Sequence, residues 1–200
     1  RDFCLSRGLG DVYKRQFLLV SAFSFTNLYS QDISSISEPE FIGEVVIIRA
    51  DNTTEALEKS PVQTKTKAGA SLYIVGIGNV KTKMKIAGCC AGVRAKESDK
   101  IRFIIKAADN HTDPLAFIKI FQLESKKKER TAELASVSTF GGASKNNLQE
   151  LPFTAKKYGT SSYLITITEN RTGEFGIVTM NPNALDEKAT IISSFGVDAE

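Results

Sequence analysis

The chain has 200 residues, of which 42% are hydrophobic and 24% charged, and its formal net charge is +3. With 12 Phe and 5 Tyr and no apolar run of about 18 residues, it is neither a disordered chain nor one with a bilayer-spanning helix. A single His and three Cys exclude His-rich or multi-Cys metal sites and a disulfide-dense scaffold.

The first sixteen residues read as a translated cloning product. The segment Cys4–Gln16 has the sequence CLSRGLGDVYKRQ, and the residues from Asp11 to Gln16 match an in-frame translation of a sequencing-library adapter. We expect residues 1–16 to be a cloning or assembly scar and exclude them from the fold prediction.

Residues 17–30 have the pattern of a truncated signal peptide. Phe17–Phe25 is apolar, and a short polar stretch ending at the small residue Ser30 follows. A short buried strand or helix is the structural alternative. Without residues 1–30 the chain has 22 basic and 21 acidic groups, so net charge does not predict nucleic-acid binding. We expect residues 31–200 to form a single exported domain, periplasmic or extracellular, with no transmembrane anchor.

The rest of the chain is dominated by period-two alternation in short runs separated by Gly, Asn, Asp and Pro. The pattern predicts an all-β fold of about nine strands, an antiparallel β-sandwich of immunoglobulin-like or jelly-roll-like type. The candidate strands are Gly43–Ala50, Ser71–Ile77, Val80–Ala87, Lys100–Ala107, Leu115–Leu123, Ala132–Val137, Ser162–Thr168, Glu174–Met180 and Thr190–Phe195, with weaker ones at Glu55–Lys59, Thr64–Ala68 and Pro152–Lys156.

Two hairpins follow from this pattern. A two-residue turn at Gly78-Asn79 would pair Ser71–Ile77 with Val80–Ile86 and leave the lysines on the face opposite Met84. A five-residue turn, 169–173, would join Tyr163–Ile167 to Phe175–Val178. We also expect a turn at Lys126–Arg130, and the only helix-leaning stretch is Asn147–Leu151.

Three runs resemble a family of small exported β-sandwich proteins of gut Bacteroidetes. They are Ala68–Gly78, Pro152–Gly159 and Gly173–Ile177. The resemblance covers most of residues 38–198 and implies export and a β-sandwich. Thr172 and Phe175 replace the Pro and Tyr of that family's Pro-Gly-Glu-Tyr turn, and the resemblance brings no catalytic residue.

Sequence motifs for catalysis fail one by one, so we expect no enzyme, no cofactor and no metal. His111 is the only imidazole and lies in a turn-like segment, where an exposed turn residue is the expected role. Asp109 and Asp113 resemble a calcium loop, but His111 and Pro114 stand where that loop needs an oxygen ligand and Gly. Gly76-Ile77-Gly78 lacks the third Gly of a dinucleotide fingerprint.

Cys89 and Cys90 are adjacent within a run of small residues that suggests a tight corner. We expect a free pair packed as small apolar side chains, with a vicinal disulfide and a metal site as the alternatives.

Lys81, Lys83 and Lys85 alternate along one predicted strand, and Lys65 and Lys67 show the same spacing. The plain interpretation is a solvated face or an edge strand protected by lysines. The alternative is a basic stripe for an anionic polymer. The expected function is therefore a non-enzymatic exported domain of the bacterial cell envelope that binds a glycan, an envelope protein or an anionic polymer. A small envelope hydrolase with paired carboxylates is the alternative.

Overall fold

The computed structural model describes residues 33–68, 79–138, 145–146, 148–179 and 190–200. The expected scar, the expected signal peptide and the candidate strand Ser71–Ile77 lie outside these ranges. The strands before residue 100 are β1 Val45–Ile48, β2 Thr54–Ala56, β3 Glu58–Pro61, β4 Gln63–Ala68, β5 Asn79–Ala87 and β6 Arg94–Lys96. Those after it are β7 Arg102–Lys106, β8 Ile118–Ser125, β9 Glu129–Ser138, β10 Lys145–Asn146, β11 Phe153–Tyr158, β12 Ser162–Ile167, β13 Gly173–Thr179 and β14 Ile191–Asp198.

Helical structure within the described residues is limited to two short pieces. One is a 3₁₀ turn at Ile33–Ser35, and the other is α1, the single turn Pro114–Phe117. Asp113 caps α1 by accepting a hydrogen bond from the Leu115 amide at 3.0 Å, and Pro114 at the first position needs no amide partner.

The strands form two sheets. The five-stranded sheet has the order β11-β12-β7-β1-β2. The nine-stranded sheet runs β3-β14-β13-β8-β9-β5-β4, with β10 beside β9 and β6 beside β14, and it is nearly closed. We call it the curled sheet. Among the described strands, every pairing is antiparallel except that of β6 with β14.

The main core lies between the two sheets. Alternate side chains of β1, β7 and β12 meet those of β8, β13 and β14, as the period of a half-buried strand requires. Phe195 stands at its centre, with its ring centroid 4.9 Å from that of Phe103 and 5.3 Å from that of Phe175.

A second apolar cluster fills the inside of the curled sheet. Its buried members are Met84, Ile86, Phe121, Leu123, Ala132 and Ile192. The backbone of β13 passes close to this cluster at Gly176, where a Cβ atom would lie 2.9 Å from Cγ2 of Ile192. Glycine is required there because of the close approach of the two strands.

The prediction of an all-β antiparallel sandwich is confirmed. Eight of the nine candidate strands and all three weaker ones have counterparts, and β6 and β10 are additional short strands. The predicted strand Leu115–Leu123 begins later, because Pro114 and the Asp113 cap favour the helical turn α1 before β8. Asn147 lies outside the described residues, and residues 148–151 form no helix.

The strand order bears on both predicted hairpins. Residues 71–77 of the first hairpin lie outside the described ranges, and within those ranges β5 pairs with β4 on one edge and with β9 on the other. The second hairpin is wrong because β12 belongs to the five-stranded sheet and β13 to the curled sheet. The predicted turn at Lys126–Arg130 is present between β8 and β9, where the Lys126 amide donates to the Glu129 carbonyl at 2.8 Å.

Candidate functional site

The lysines singled out in the sequence lie side by side on the outer surface of the curled sheet. Lys81, Lys83 and Lys85 alternate on β5, whereas Met84 is buried in the second cluster on the opposite face. The register of β4 and β5 then adds two more lysines, since Lys65 lies opposite Lys83 and Lys67 opposite Lys81. We call the five positions Lys65, Lys67, Lys81, Lys83 and Lys85 the lysine face.

Two glutamates of β9 reduce the charge of this face. A carboxylate oxygen of Glu133 lies 3.4 Å from Nζ of Lys81 and 3.7 Å from Nζ of Lys83. Glu129 accepts a hydrogen bond from Lys85 at 2.6 Å, and that lysine lowers the pKa of the Glu129 carboxyl. Among the side chains that the structure describes here, Lys65, Lys81, Lys83 and Lys85 outnumber the two glutamates and leave a local excess of two positive charges.

A second charged cluster lies inside one end of the curled sheet, and sequence analysis missed it. Arg130 of β9 is 0% exposed and points inward, on the same side of the strand as Ala132 two residues later. Its guanidinium donates to Oγ of Ser194 at 2.9 Å and to the Gly88 carbonyl at 3.3 Å. Nη1 lies 3.8 Å from Oε2 of Glu174, so the buried charge has a partner.

Glu174 of β13 links this buried arginine to the surface. One carboxylate oxygen accepts the Ala91 amide at 2.7 Å, and the other accepts Nη1 of Arg94 at 2.7 Å. Arg94 also binds Asp198 through two nitrogens, which lowers the pKa of Asp198 and raises that of Arg94. We call Arg94, Arg130, Glu174 and Asp198 the charged end.

Cys89 and Cys90 lie on the loop between β5 and β6, beside the charged end. Both are free thiols; Cys89 is half-buried and Cys90 is exposed. A hydrogen bond with the Cys89 thiol raises the pKa of Cys90, as do partial burial and the nearby charge of Glu174. The expectation that both thiols are packed as small apolar side chains is therefore wrong for Cys90, because the loop turns its side chain to solvent.

The segment around His111 behaves as a turn. His111 is exposed, and its amide donates to Oδ1 of Asp109 at 2.8 Å. Asp113 is occupied as the cap of α1, and Tyr163 donates its hydroxyl proton to the Thr112 carbonyl at 2.5 Å. This agrees with the expected role of His111 as an exposed turn residue.

The partly buried carboxylate of Glu38 lies outside these clusters and holds the segment before β1 to the five-stranded sheet. Glu38 accepts hydrogen bonds from Oγ of Ser162 at 2.5 Å, from the Thr160 amide at 2.6 Å and from Nζ of Lys106 at 3.1 Å. These donors hold the pKa of Glu38 far below its usual range. The arrangement is that of a structural clamp, because the whole carboxylate is engaged by its own chain.

Sequence analysis found the lysines but missed the charged end. Arg130 lies two residues before Ala132 on β9, and Glu174 lies four residues before Val178 on β13. This even spacing from apolar residues of the second cluster is a weak signal that both point inward. Arg94 and Asp198 give no such signal, because their contact depends on the parallel pairing of β6 with β14.

Comparison of the chain with protein-family models, with curated proteins and with solved structures gave no match. Within the described ranges, no helix is long and apolar enough to cross a membrane. In the same ranges no three acidic, His or Cys side chains come together in a way that could hold a metal ion.

Proposed function

We propose that this protein is a non-enzymatic exported β-sandwich protein that binds an anionic polymer of the cell envelope through the lysine face. The observation that carries the proposal is the register of β4 and β5. It sets Lys65 against Lys83 and Lys67 against Lys81. Like charges directly opposite on neighbouring strands destabilise a sheet. Lys81 and Lys83 share one carboxylate, that of Glu133, and a ligand with negative groups would balance the positive charge that remains.

The position of β5 within the curled sheet shows whether its lysines could serve only to protect a sheet edge. Lysines on an edge strand discourage pairing with other chains. That role accounts for Lys65 and Lys67, because β4 ends the path of the curled sheet. It does not account for Lys81 and Lys83, because β5 lies between β4 and β9 and has no free edge along these residues.

The spacing of the charges favours a repeating ligand. Alternate residues along a strand lie about 6.6 Å apart, and directly opposed Cβ atoms lie about 5 Å apart. A polymer with sulfate, phosphate or carboxylate groups at regular intervals can contact several such lysines together. The face carries an excess of two positive charges, from Lys65, Lys81, Lys83 and Lys85 against two glutamates. This excess makes it attractive to such a polymer although residues 31–200 carry a formal net charge of only +1.

The two carboxylates of the charged end do not favour hydrolysis. Glu174 and Asp198 are both bound by Arg94. Arg94 lowers the pKa of Asp198, which makes that carboxylate a poor proton donor and a poor proton acceptor. This is why binding, and not the hydrolase alternative, is the function proposed.

The test is retention on immobilised heparin and on immobilised lipopolysaccharide. A face variant carries Lys81→Gln, Lys83→Gln and Lys85→Gln. A control variant carries the same number of changes at exposed lysines of or near the five-stranded sheet, namely Lys100→Gln, Lys156→Gln and Lys157→Gln. Circular dichroism shows whether each variant has kept the fold.

We expect the wild type and the control variant to bind at about 0.1 M salt and the face variant to elute early. All three should elute together at about 1 M salt, where the Debye length is only about 3 Å. Equal elution of the wild type and the face variant at low salt would overturn the proposal. Equal weakening of the two variants would also overturn it, because the effect would then depend on net charge alone.

A further inference from the structure

A second site, independent of the lysine face, lies on the loop that follows β5. Gly88 begins the loop with a φ of +86°, a conformation that favours glycine. The backbone is held on both sides of the turn. The Gly88 amide donates to the Lys128 carbonyl at 3.0 Å, and Oγ of Ser125 donates to the Cys89 carbonyl at 2.7 Å.

The two thiols on this fixed loop belong to adjacent residues, and one of them is open to solvent. Cys90 is exposed, whereas Cys89 is half-buried. A disulfide reagent can therefore reach Cys90 first, and the second thiol is on the adjacent residue. The raised pKa of Cys90 makes its ionised fraction small at neutral pH, so the exchange is slow there and faster at higher pH. This arrangement suits a reaction that uses both sulfur atoms.

The next residue connects the thiols to the charged end. The amide of Ala91 donates to Oε2 of Glu174, and Ala91 is 4% exposed. The same carboxylate oxygen faces Arg130 at 3.8 Å. The peptide between Cys89 and Cys90 thus lies between two anchors: Ser125 holds its carbonyl, and Glu174 holds the amide that follows Cys90.

We propose that Cys89 and Cys90 form a thiol–disulfide exchange site, and that their oxidation to a vicinal disulfide loosens the hydrogen bonds that fasten this loop to the charged end. The oxidant is a low-molecular-weight or protein disulfide. The Cys90 thiolate attacks one sulfur of that disulfide, the sulfur–sulfur bond breaks, and one thiolate leaves and takes up a proton. The Cys89 thiolate then attacks the Cys90 sulfur and expels the second thiolate.

In the whole reaction, the dithiol of Cys89 and Cys90 loses two electrons and two protons, and the external disulfide gains them and becomes two thiols. The product is a ring of eight atoms that includes the Cys89–Cys90 peptide. Closing so small a ring forces that peptide to change its conformation. The Cys89 carbonyl must then turn away from Ser125, and the Ala91 amide is drawn away from Glu174.

The first experiment measures the oxidation state of Cys89 and Cys90 at different ratios of oxidised to reduced glutathione. The full chain with Cys4→Ser, which leaves Cys89 and Cys90 as its only thiols, is equilibrated in glutathione buffers of increasing oxidised fraction. The samples are quenched with acid, alkylated and analysed by mass spectrometry of the peptide that contains both cysteines. We expect loss of two hydrogens and protection of both sulfur atoms from alkylation.

Two results of this experiment would overturn the proposal. One is that both thiols remain open to alkylation in fully oxidised glutathione. The other is that glutathione adds to the cysteines and no ring forms. Variants with Cys89→Ser or Cys90→Ser should stop at the mixed disulfide, and a two-hydrogen loss in either of them would place the oxidation elsewhere.

The second experiment tests the connection to the charged end. Ser125→Ala removes a hydrogen bond that holds the reduced conformation. It should lower the ratio of oxidised to reduced glutathione needed for half-oxidation by about two- to tenfold, the range expected for one hydrogen bond. Ser98→Ala, at an exposed loop position, is the matched control and should leave the ratio unchanged.

Hydrogen exchange at the Ala91 amide provides the structural readout. This amide should exchange more quickly in the oxidised protein than in the reduced protein, because its bond to Glu174 is weakened. Equal protection in the two states would show that oxidation does not loosen the loop, and an unchanged ratio in Ser125→Ala would show that the Cys89 carbonyl does not resist ring closure. Either result contradicts the proposed coupling.

Discussion

Removal of the negative charge of Glu174 should be among the most damaging single changes in this protein. Glu174→Gln keeps the size of the side chain and a carbonyl oxygen for the Ala91 amide, but it takes away the charge that faces Arg94 and Arg130. Arg130 is 0% exposed, and its other acidic neighbour, Glu58, lies 3.9 Å away with a side chain that is 48% exposed. Leaving a buried charge without its partner costs about 3 to 5 kcal/mol.

Urea denaturation followed by circular dichroism measures this loss of unfolding free energy. Glu169→Gln is the matched control, because the ion pair of Glu169 with Arg171 is exposed at 62% and 50%. Such a pair contributes less than about 1 kcal/mol. The reasoning is refuted if Glu174→Gln destabilises the protein no more than this control does.

A double-mutant cycle separates the charge pair from other effects. Arg130→Met removes the buried cation with little change in volume. In the Arg130→Met background, Glu174→Gln should lower the free energy of unfolding by less than it does in the wild type, because no unpaired charge remains at the 3.8 Å contact. Additive losses would mean that the two side chains do not depend on each other.

Two further changes test the packing and the pH dependence. Glu38→Gln should cost about 1.5 to 3 kcal/mol at neutral pH through weaker hydrogen bonds to an uncharged group. Since the folded pKa of Glu38 lies below its ordinary value of 4.5, the stabilisation is complete above that pH and is lost as the pH falls. The gap between wild type and variant in urea denaturation should therefore narrow below pH 4.5, and a constant gap would contradict the assignment. Gly176→Ala, whose new methyl would lie 2.9 Å from Ile192, should cost about 1 to 3 kcal/mol, and an unchanged melting temperature would show that the strands can move apart.

The two faces of β5 could be predicted from the sequence, but its neighbours could not. Alternation alone assigns Lys83 to the outside and Met84 to the inside, and both assignments are confirmed. The choice of partner strand depends on contacts distant in sequence. Lys85 lies opposite Gln63 on one side and Thr131 on the other. A turn motif at Gly78-Asn79 carries no information about either contact.

The connection between β12 and β13 shows a second limit of local patterns. Its composition is that of a hairpin turn, yet it crosses from one sheet to the other. Nδ2 of Asn170 donates to the carbonyls of Glu97 and Asp99 at 2.6 and 2.7 Å. These bonds tie the crossing to a loop about seventy residues earlier in the chain. No pattern within the turn itself indicates that contact.

Burial of a charge was the hardest feature to predict. An arginine on a strand is expected to face solvent unless a partner is buried with it. Arg130 has its partners on β13 and β14, at Glu174 and Ser194, more than forty residues away. The pairing of these strands therefore had to be known before the charged end could be recognised.

The salt dependence of heparin binding tests the central claim most directly. Titration of labelled heparin at several salt concentrations gives the slope of log K, the logarithm of the association constant, against the logarithm of the salt concentration. The slope reflects the number of ligand charges that the protein neutralises. For polyanions such as nucleic acids, each contact contributes about 0.7 to 0.9 to the slope. Loss of Lys81, Lys83 and Lys85 should make the slope shallower by about two, whereas the control variant at Lys100, Lys156 and Lys157 should keep the wild-type slope. A face variant with the wild-type slope and affinity would contradict the account, because the lysine face would then be ordinary solvated surface.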